Sequence, residues 1–308
     1  VINSDSSQII GSVIYIDNYG NVVTNITKKT FNEISKSRSF TIHARNVKFN
    51  KIYNSYSDAI DYSIPKEKRE EDGKKIAFIR FDESDVPEFN MQTWGPLYPE
   101  DYKFKYPKAG EKNALVSIHV VDLASKKVQK MDAGPEADQY LPRLYWTQDP
   151  NQLAFIRLNR LQNQLDLLQA NASTGESKLV LSETSDTYVD LDYNDDLQYL
   201  SDGKTFIRTS EQGGYKHIYH HNMDGTLIRQ LTTGPWEVSS LVGLDEKGKK
   251  LYYLSTEKSP LERQLYVIQL DGKGKKSLSP LAGTYSINMS PDHQFFIAYH
   301  TSSSSPVT

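Results

Sequence analysis

Three short aromatic runs, at 204–208, 250–255 and 294–299, each follow a turn built from Asp, Gly or Pro, and they recur at roughly 45 residues. This period limits the fold more than any other feature of the chain. It is the length of one small twisted antiparallel sheet of four strands, which is too small to bury both of its faces alone. Such sheets must stack side by side, and a ring of blades around a channel is the usual closed arrangement. Runs at 75–81 and 153–157 have the same character. Second strands are expected at 117–122, 166–169, 217–222 and 265–270, the last two running into Asp224-Gly225 and Asp271-Gly272. Third strands are expected at 178–181 and 227–231. The high count of Tyr (20) and Phe (11) against Met (4) agrees, because aromatic side chains pack well on a pleated surface. The fold class expected is all-β: a partial β-propeller of about four to five blades of four-stranded antiparallel sheets.

The first part of the chain does not share this period. Residues 11–25 alternate and reverse at Asn18-Tyr19-Gly20-Asn21, which predicts a hairpin with a glycine free to take positive φ. Thr27 or Thr30 caps a short helix through Phe31 and Ile34, and 39–44 and 46–53 read as strands. This predicts a small truncated β-barrel domain. The segment IPKEKREEDGKK (64–75) alternates in sign, so it is a solvated stretch with no net field. The organisation expected is therefore 1–71 and 72–308, turning on DGKKIAF at 72–78. The insert at 86–113, rich in Pro and aromatics, reads as a long ordered excursion and not as a strand pair.

Several functions are excluded by composition. With a net charge of −3 there is no basic field for sequence-independent nucleic-acid or lipid binding. With no Cys there is no disulfide framework and no thiolate zinc site. No apolar run approaches the roughly 20 residues of a membrane span, and no signal peptide is visible at the N-terminus.

Two groups of motifs carry resemblances. GSVIYIDNYGNVVTNI (11–26), followed by SYSD (55–58), resembles the C-terminal domain of the SAM hydroxide adenosyltransferases. The resemblance implies a small barrel that closes over S-adenosylmethionine held mainly by a neighbouring subunit. It implies that Tyr19 stacks on the adenosine and that Asn21 hydrogen-bonds the base edge, for which an amide offers donor and acceptor together. The family's later NSxGxLEIA-type strand is not found, so the expectation is an inherited pocket without its walls and no bound cofactor.

FDESDVPEF (81–89), KYPKAGEKN (105–113), EQGGYKHIYHHNMDG (211–225), TTGPWEV (232–238) and YYLSTE (252–257) together resemble the N-terminal propeller of dipeptidyl peptidase IV-type serine exopeptidases. The match runs from 72 to 308. That resemblance implies an eight-bladed propeller that gates an α/β-hydrolase domain and grips the substrate amine with paired Glu. The Glu pair would fall near Ala59, inside the other block, and Glu70-Glu71 is read as solvent-facing. A crossover within 72–78 is the leading expectation for how the two parts came to share one chain.

The family's catalysis needs a nucleophilic Ser on a G-x-S-x-G elbow, then Asp and His. No G-x-S-x-G string occurs in these 308 residues, and Ser302, Ser303, Ser304 and Ser305 read as loop. The leading expectation is the substrate-gating, peptide-docking part of an exopeptidase releasing N-terminal X-Pro dipeptides, without catalysis by this chain alone. The alternatives are a non-enzymatic interaction module and a remnant of a SAM hydrolase. Expected partners are peptide substrates, an α/β-hydrolase domain or chain, and further copies of this chain through open sheet edges. The compartment stays open, because peptidase relatives are usually exported and adenosyltransferases are cytosolic.

Other candidates have ordinary explanations. On a strand, His217 and His221 stand about 13 Å apart at ~3.3 Å per residue, with His220 on the opposite face, so one metal cannot take two of them. Asp186, Asp190, Asp192, Asp195 and Asp196 read as a solvated turn. Trp94, Trp146 and Trp236 read as blade packing and insert anchoring.

Overall fold

The computed structural model describes residues 74–95 and 97–307, together with Phe31 and four short strands nearer the N-terminus. The chain forms two compact units, Val1–Arg69 and Glu70–Thr308.

In the first unit β1 (Val13–Ile16) pairs antiparallel with β2 (Val22–Thr24), and β3 (Ile42–Ala44) with β4 (Val47–Phe49). The expected hairpin is thus present. Apart from Phe31, the helix expected through Phe31 and Ile34 lies outside the described residues.

The second unit is a series of antiparallel sheets in chain order. The first joins β5 (Lys75–Asp82), β8 (Leu115–Asp122) and β9 (Val128–Lys130). The second runs β10 (Gln139–Trp146), β11 (Gln152–Asn159), β12 (Gln164–Asn171), β13 (Ser177–Thr184). The third runs β14 (Gln198–Tyr199), β15 (Thr205–Ser210), β16 (His217–Asn222), β17 (Leu227–Gln230). The fourth runs β18 (Val238–Asp245), β19 (Lys250–Ser255), β20 (Gln264–Gln269), β21 (Lys276–Ser277). A fifth consists of β22 (Thr284–Met289) and β23 (Phe296–Thr301). This is the partial propeller expected from the repeat.

The repeat has a local cause. Asp149, Asp202, Asp224, Asp271 and Asp292 each accept, through Oδ1, the backbone N–H two residues on. An Asx turn of this kind replaces a backbone turn and reverses the chain between short strands.

Cores lie between neighbouring sheets, and strand alternation decides which core a residue joins. Along β11, Leu153 and Phe155 pack with Ile118 and Val120 of the first sheet and with Met131, the residue after β9. Ala154, Ile156 and Leu158 point the other way and pack with Phe206 of the third. On β15, Phe206 faces back while Ile207 packs forward with Leu251 and Tyr253 of the fourth. A fully buried Phe or Leu contributes about 1.5–3 kcal/mol, so each internal strand stabilises two junctions at once.

Two expectations are corrected. The insert contains a strand pair: β6 (Glu88–Thr93) and β7 (Glu100–Lys105) form their own antiparallel hairpin. Phe89 and Phe104 meet edge-to-face across it at 5.8 Å, and Tyr106 closes on both. Trp94 anchors nothing. It stands at the hairpin tip, 79% exposed, beside exposed Leu97 and Tyr98. Trp236 is buried in the core between the third and fourth sheets, and Trp146 packs at the first junction.

Candidate functional site

The densest polar network of the second unit is built by the linker at 185–197, which joins β13 to β14, on the first strand of the second sheet. Arg143 of β10 donates from Nε to Asp195 and from Nη2 to Asp192, both at 2.7 Å. Tyr145, two residues on and therefore on the same face, donates to the other oxygen of Asp195 at 2.7 Å. Asp195 thus links both side chains. Its hydrogen bond raises the Arg143 pKa, and burial followed by the same carboxylate raises that of Tyr145.

The same linker reaches forward. Lys216, only 2% exposed, places Nζ 2.9 Å from Asp196 and donates to the Tyr193 carbonyl. The ammonium also lies over the Tyr193 ring, 4.5 Å from its centroid. Tyr193 donates to Glu237 at 2.9 Å, and Asn194 donates to Glu211 at 2.8 Å. Burial, and after it the bond to Glu237, pushes the Tyr193 hydroxyl pKa up. Among the described residues, neither Glu211 nor Glu237 has an ion-pair partner. Both accept from neutral donors, so their charge remains available to a cation. The acidic run is therefore only partly a solvated turn: Asp186 is exposed, whereas Asp195 and Asp196, with the exposed Asp192, hold the linker against Arg143 and Lys216. Sequence reasoning passed over Arg143, Lys216, Glu211 and Glu237. The only sequence signal was the density of Asp around Tyr193.

Two open clefts lie between successive sheets. One, of about 670 Å³, is lined by Arg80, Asp82, Lys130, Glu136 and Gln139 between the first and second. The other, of about 700 Å³, is lined by Asp149, Gln169, Lys178 and Asp202 between the second and third. Gln139 Oε1 and Gln169 Nε2 are buried without a hydrogen-bond partner among the described residues. Both clefts carry charges of mixed sign and no convergent nucleophile and base.

The histidines serve packing. His217 is held by Thr232 at 3.1 Å and the Gly234 carbonyl at 3.0 Å, edge-on to Trp236. His221 stacks on Phe206 with ring centroids 5.1 Å apart, and its Nδ1 meets the Gly225 carbonyl at 2.9 Å. His300 turns its Nε2 to the Ala282 carbonyl at 2.8 Å, while Ser302 and Ser305 bond to each other through their backbones. Tyr19, Asn21, Ala59, Glu70 and Glu71 lie outside the described residues.

Comparisons with known proteins follow the same division. Residues 70–307 match the dipeptidyl peptidase IV (DPP IV) N-terminal region, and residues 11–79 match the SAM hydroxide adenosyltransferase C-terminal domain. A probable dipeptidyl peptidase 4 from Arthroderma benhamiae is 31% identical over 214 residues, 66% of this chain and 27% of that protein. The inactive dipeptidyl peptidase 10 of Mus musculus is 32% identical over 216 residues, 65% of this chain and 27% of that protein. The crystal structure of Porphyromonas gingivalis dipeptidyl peptidase 4 superimposes with a TM-score of 0.71 at 37% identity, over 77% of this chain and 33% of that one. The chain thus spans about a third or less of the relatives it matches.

Proposed function

The chain belongs to the family of the dipeptidyl peptidase IV N-terminal region through residues 70–307, and on that basis we propose that it is the substrate-gating, peptide-docking propeller part of a serine exopeptidase that releases N-terminal X-Pro dipeptides. The observation that carries this reading is the run of stacked four-stranded sheets in chain order, alike in fold to the P. gingivalis enzyme at 37% identity. The Ser, Asp and His chemistry would come from an α/β-hydrolase domain outside these 308 residues, which contain no G-x-S-x-G string. Glu211 and Glu237 supply the counter-charge for a peptide's ammonium group, a charge-assisted contact.

The assignment of domains is part of the same proposal: 72–308 is the partial propeller and 1–71 an adenosyltransferase-like β domain. The two family matches overlap over 70–79, which favours a junction inside that stretch. Tyr19 and Asn21 are proposed as remnants of an adenosine pocket.

The test is binding without turnover. A fluorescently labelled peptide beginning Gly-Pro should bind saturably, and the double variant Glu211→Gln, Glu237→Gln should bind it several-fold more weakly. A Gly-Pro chromogenic substrate should stay intact, as should S-adenosylmethionine. Turnover of either that is lost on mutating a residue of this chain would overturn the reading. A second reading, a non-enzymatic interaction module, is favoured by the similarity to a relative named as inactive. It predicts saturable binding of peptides that lack the X-Pro start, unaffected by the two Glu→Gln changes.

A further inference from the structure

The cleft between the second and third sheets has an ordered lining that the contact at Glu211 and Glu237 does not use. On β11, Ala154, Ile156 and Leu158 form the row that packs toward the third sheet. Gln152 stands two residues earlier on the same face. Strand pairing sets Asn171 opposite Gln152, Gln169 opposite Ala154 and Lys178 opposite Gln169. The apolar face of the second sheet therefore ends in a patch of three carboxamides and one ammonium, and all four residues line the cleft.

These carboxamides are idle. Gln169 is only 4% exposed, yet its Nε2 is buried with no hydrogen-bond partner among the described residues. The neighbouring Tyr199 hydroxyl is buried without a partner as well. The Gln152 side chain and the Asn171 Nδ2 make no hydrogen bond among the described residues. Asn171 uses its oxygen alone, accepting the Ser173 and Thr174 N–H groups at 2.8 and 3.1 Å. A buried donor without an acceptor is destabilising, so the base of this cleft is short of an oxygen that the fold does not supply.

Spacing decides what the patch can hold. Asn171 and Gln169 lie two residues apart on β12, so their side chains repeat at about 6.7 Å. An extended peptide repeats at the same distance, because residues i and i+2 turn both N–H and C=O to one edge. A carboxamide offers donors and an acceptor together, the complement of that pair. The cleft volume of about 700 Å³ is within the range of ligand sites.

We propose that this cleft is a second peptide site, which takes an extended backbone along β12 through Asn171, Gln169 and Gln152. Asn171 Nδ2 and Gln169 Nε2 donate to carbonyls two residues apart, and the Gln152 and Gln169 Oε1 atoms accept N–H groups. Lys178 and Asp202, on facing walls and without ion-pair partners among the described residues, are left for charged side chains of the peptide. The site shares no residue with the contact at Glu211 and Glu237 and needs no free amine, so it stands whether or not those two bind one.

Calorimetric titration with the capped peptide Ac-Ala-Ser-Ala-Ser-Ala-NH2 tests this, because the probe has no ammonium group. Binding should be saturable. Gln169→Met, and Gln152→Met at a half-buried position, should each weaken it about fivefold or more. Gln169→Met should also melt no lower than the unmodified chain, since it removes an unpaired donor. The double variant Glu211→Gln, Glu237→Gln should bind the capped peptide unchanged. No saturable binding, binding kept by both Met variants, or a clearly lower melting point for Gln169→Met would overturn the proposal. Binding lost in the double Glu variant would overturn it too, and would leave the docking role of Glu211 and Glu237 in place. Maltose binding that replaces peptide binding, and is lost in the same Met variants, would assign the patch to sugar hydroxyls and overturn it equally.

Discussion

Arg157 and Asp166 face each other across β11 and β12 and form a two-point ion pair, with Nη2 and Nε of the arginine 2.7 and 3.1 Å from the same carboxylate oxygen. The other oxygen accepts from Ser182 at 2.6 Å and from Gln164 at 3.3 Å. Burial opposes the charged form, but the bonds from Ser182, Arg157 and Gln164 outweigh it and hold the carboxyl below its usual range. The arginine also reaches the Ala133 carbonyl, so this group ties the second sheet to the linker before it.

Asp166→Asn should therefore cost about 2–3 kcal/mol at neutral pH, because it leaves a partly buried guanidinium without its counter-charge. Since the native pKa is depressed, the contribution is complete above the unfolded value of about 3.9 and is lost as pH falls through the native one. Urea unfolding of both proteins should give a difference that is flat at neutral pH and shrinks in acid.

Phe155→Ala should cost about 3–5 kcal/mol, because the ring is fully buried between the first and second sheets and leaves a cavity there. Trp94→Ala removes a larger side chain, yet should change stability by no more than about 0.5 kcal/mol, since Trp94 is exposed. Chemical denaturation of the two variants measures the contrast.

Gly225 has φ of +88°, and a Cβ there would stand 1.9 Å from the Val180 carbonyl oxygen of the neighbouring sheet. Gly214 has φ of +90° with nothing within 4 Å. Gly225→Ala should destabilise by about 2 kcal/mol or more, through strain and collision together. Gly214→Ala should lose only the backbone strain, about 1 kcal/mol. Thermal melts of the pair separate the two causes.

His119, His217, His220 and His221 are all held below the ordinary imidazole pKa, in each case chiefly by burial. The folded chain keeps these rings neutral, while the unfolded chain takes up protons as pH falls past about 6.5. Stability should thus be complete above that value and decline below it. Urea midpoints should be lower at about pH 5.5 than at about pH 7.5, and His221→Gln should reduce the drop.

The sequence made the second and third strands of the four-stranded sheets legible, and β13 and β17 after them, because Asp-based turns punctuate short aromatic runs. The first strands were less visible. β10 and β18 carry register breaks at 140–143, 238–240 and 241–243, which interrupt the alternation that marks a strand. The β6–β7 hairpin was misread because Pro87, Pro99 and Pro107 bracket it, and proline suggests irregular chain. The polar network could not be read at all: Arg143 meets Asp192 and Asp195 across 49 and 52 residues, and no local pattern encodes that. Tyr19 and Asn21 rest on a family motif alone and lie outside the described residues.

Because β11 and β15 each carry a core on both faces, their sheets are stabilised from two sides, whereas the β6–β7 hairpin keeps most of its side chains in solvent. Opening should begin at that hairpin and leave the shared cores closed, as a flap lifts from a bound book. Amide hydrogens of β11 and β15 should exchange with solvent last, and those of β6 and β7 first.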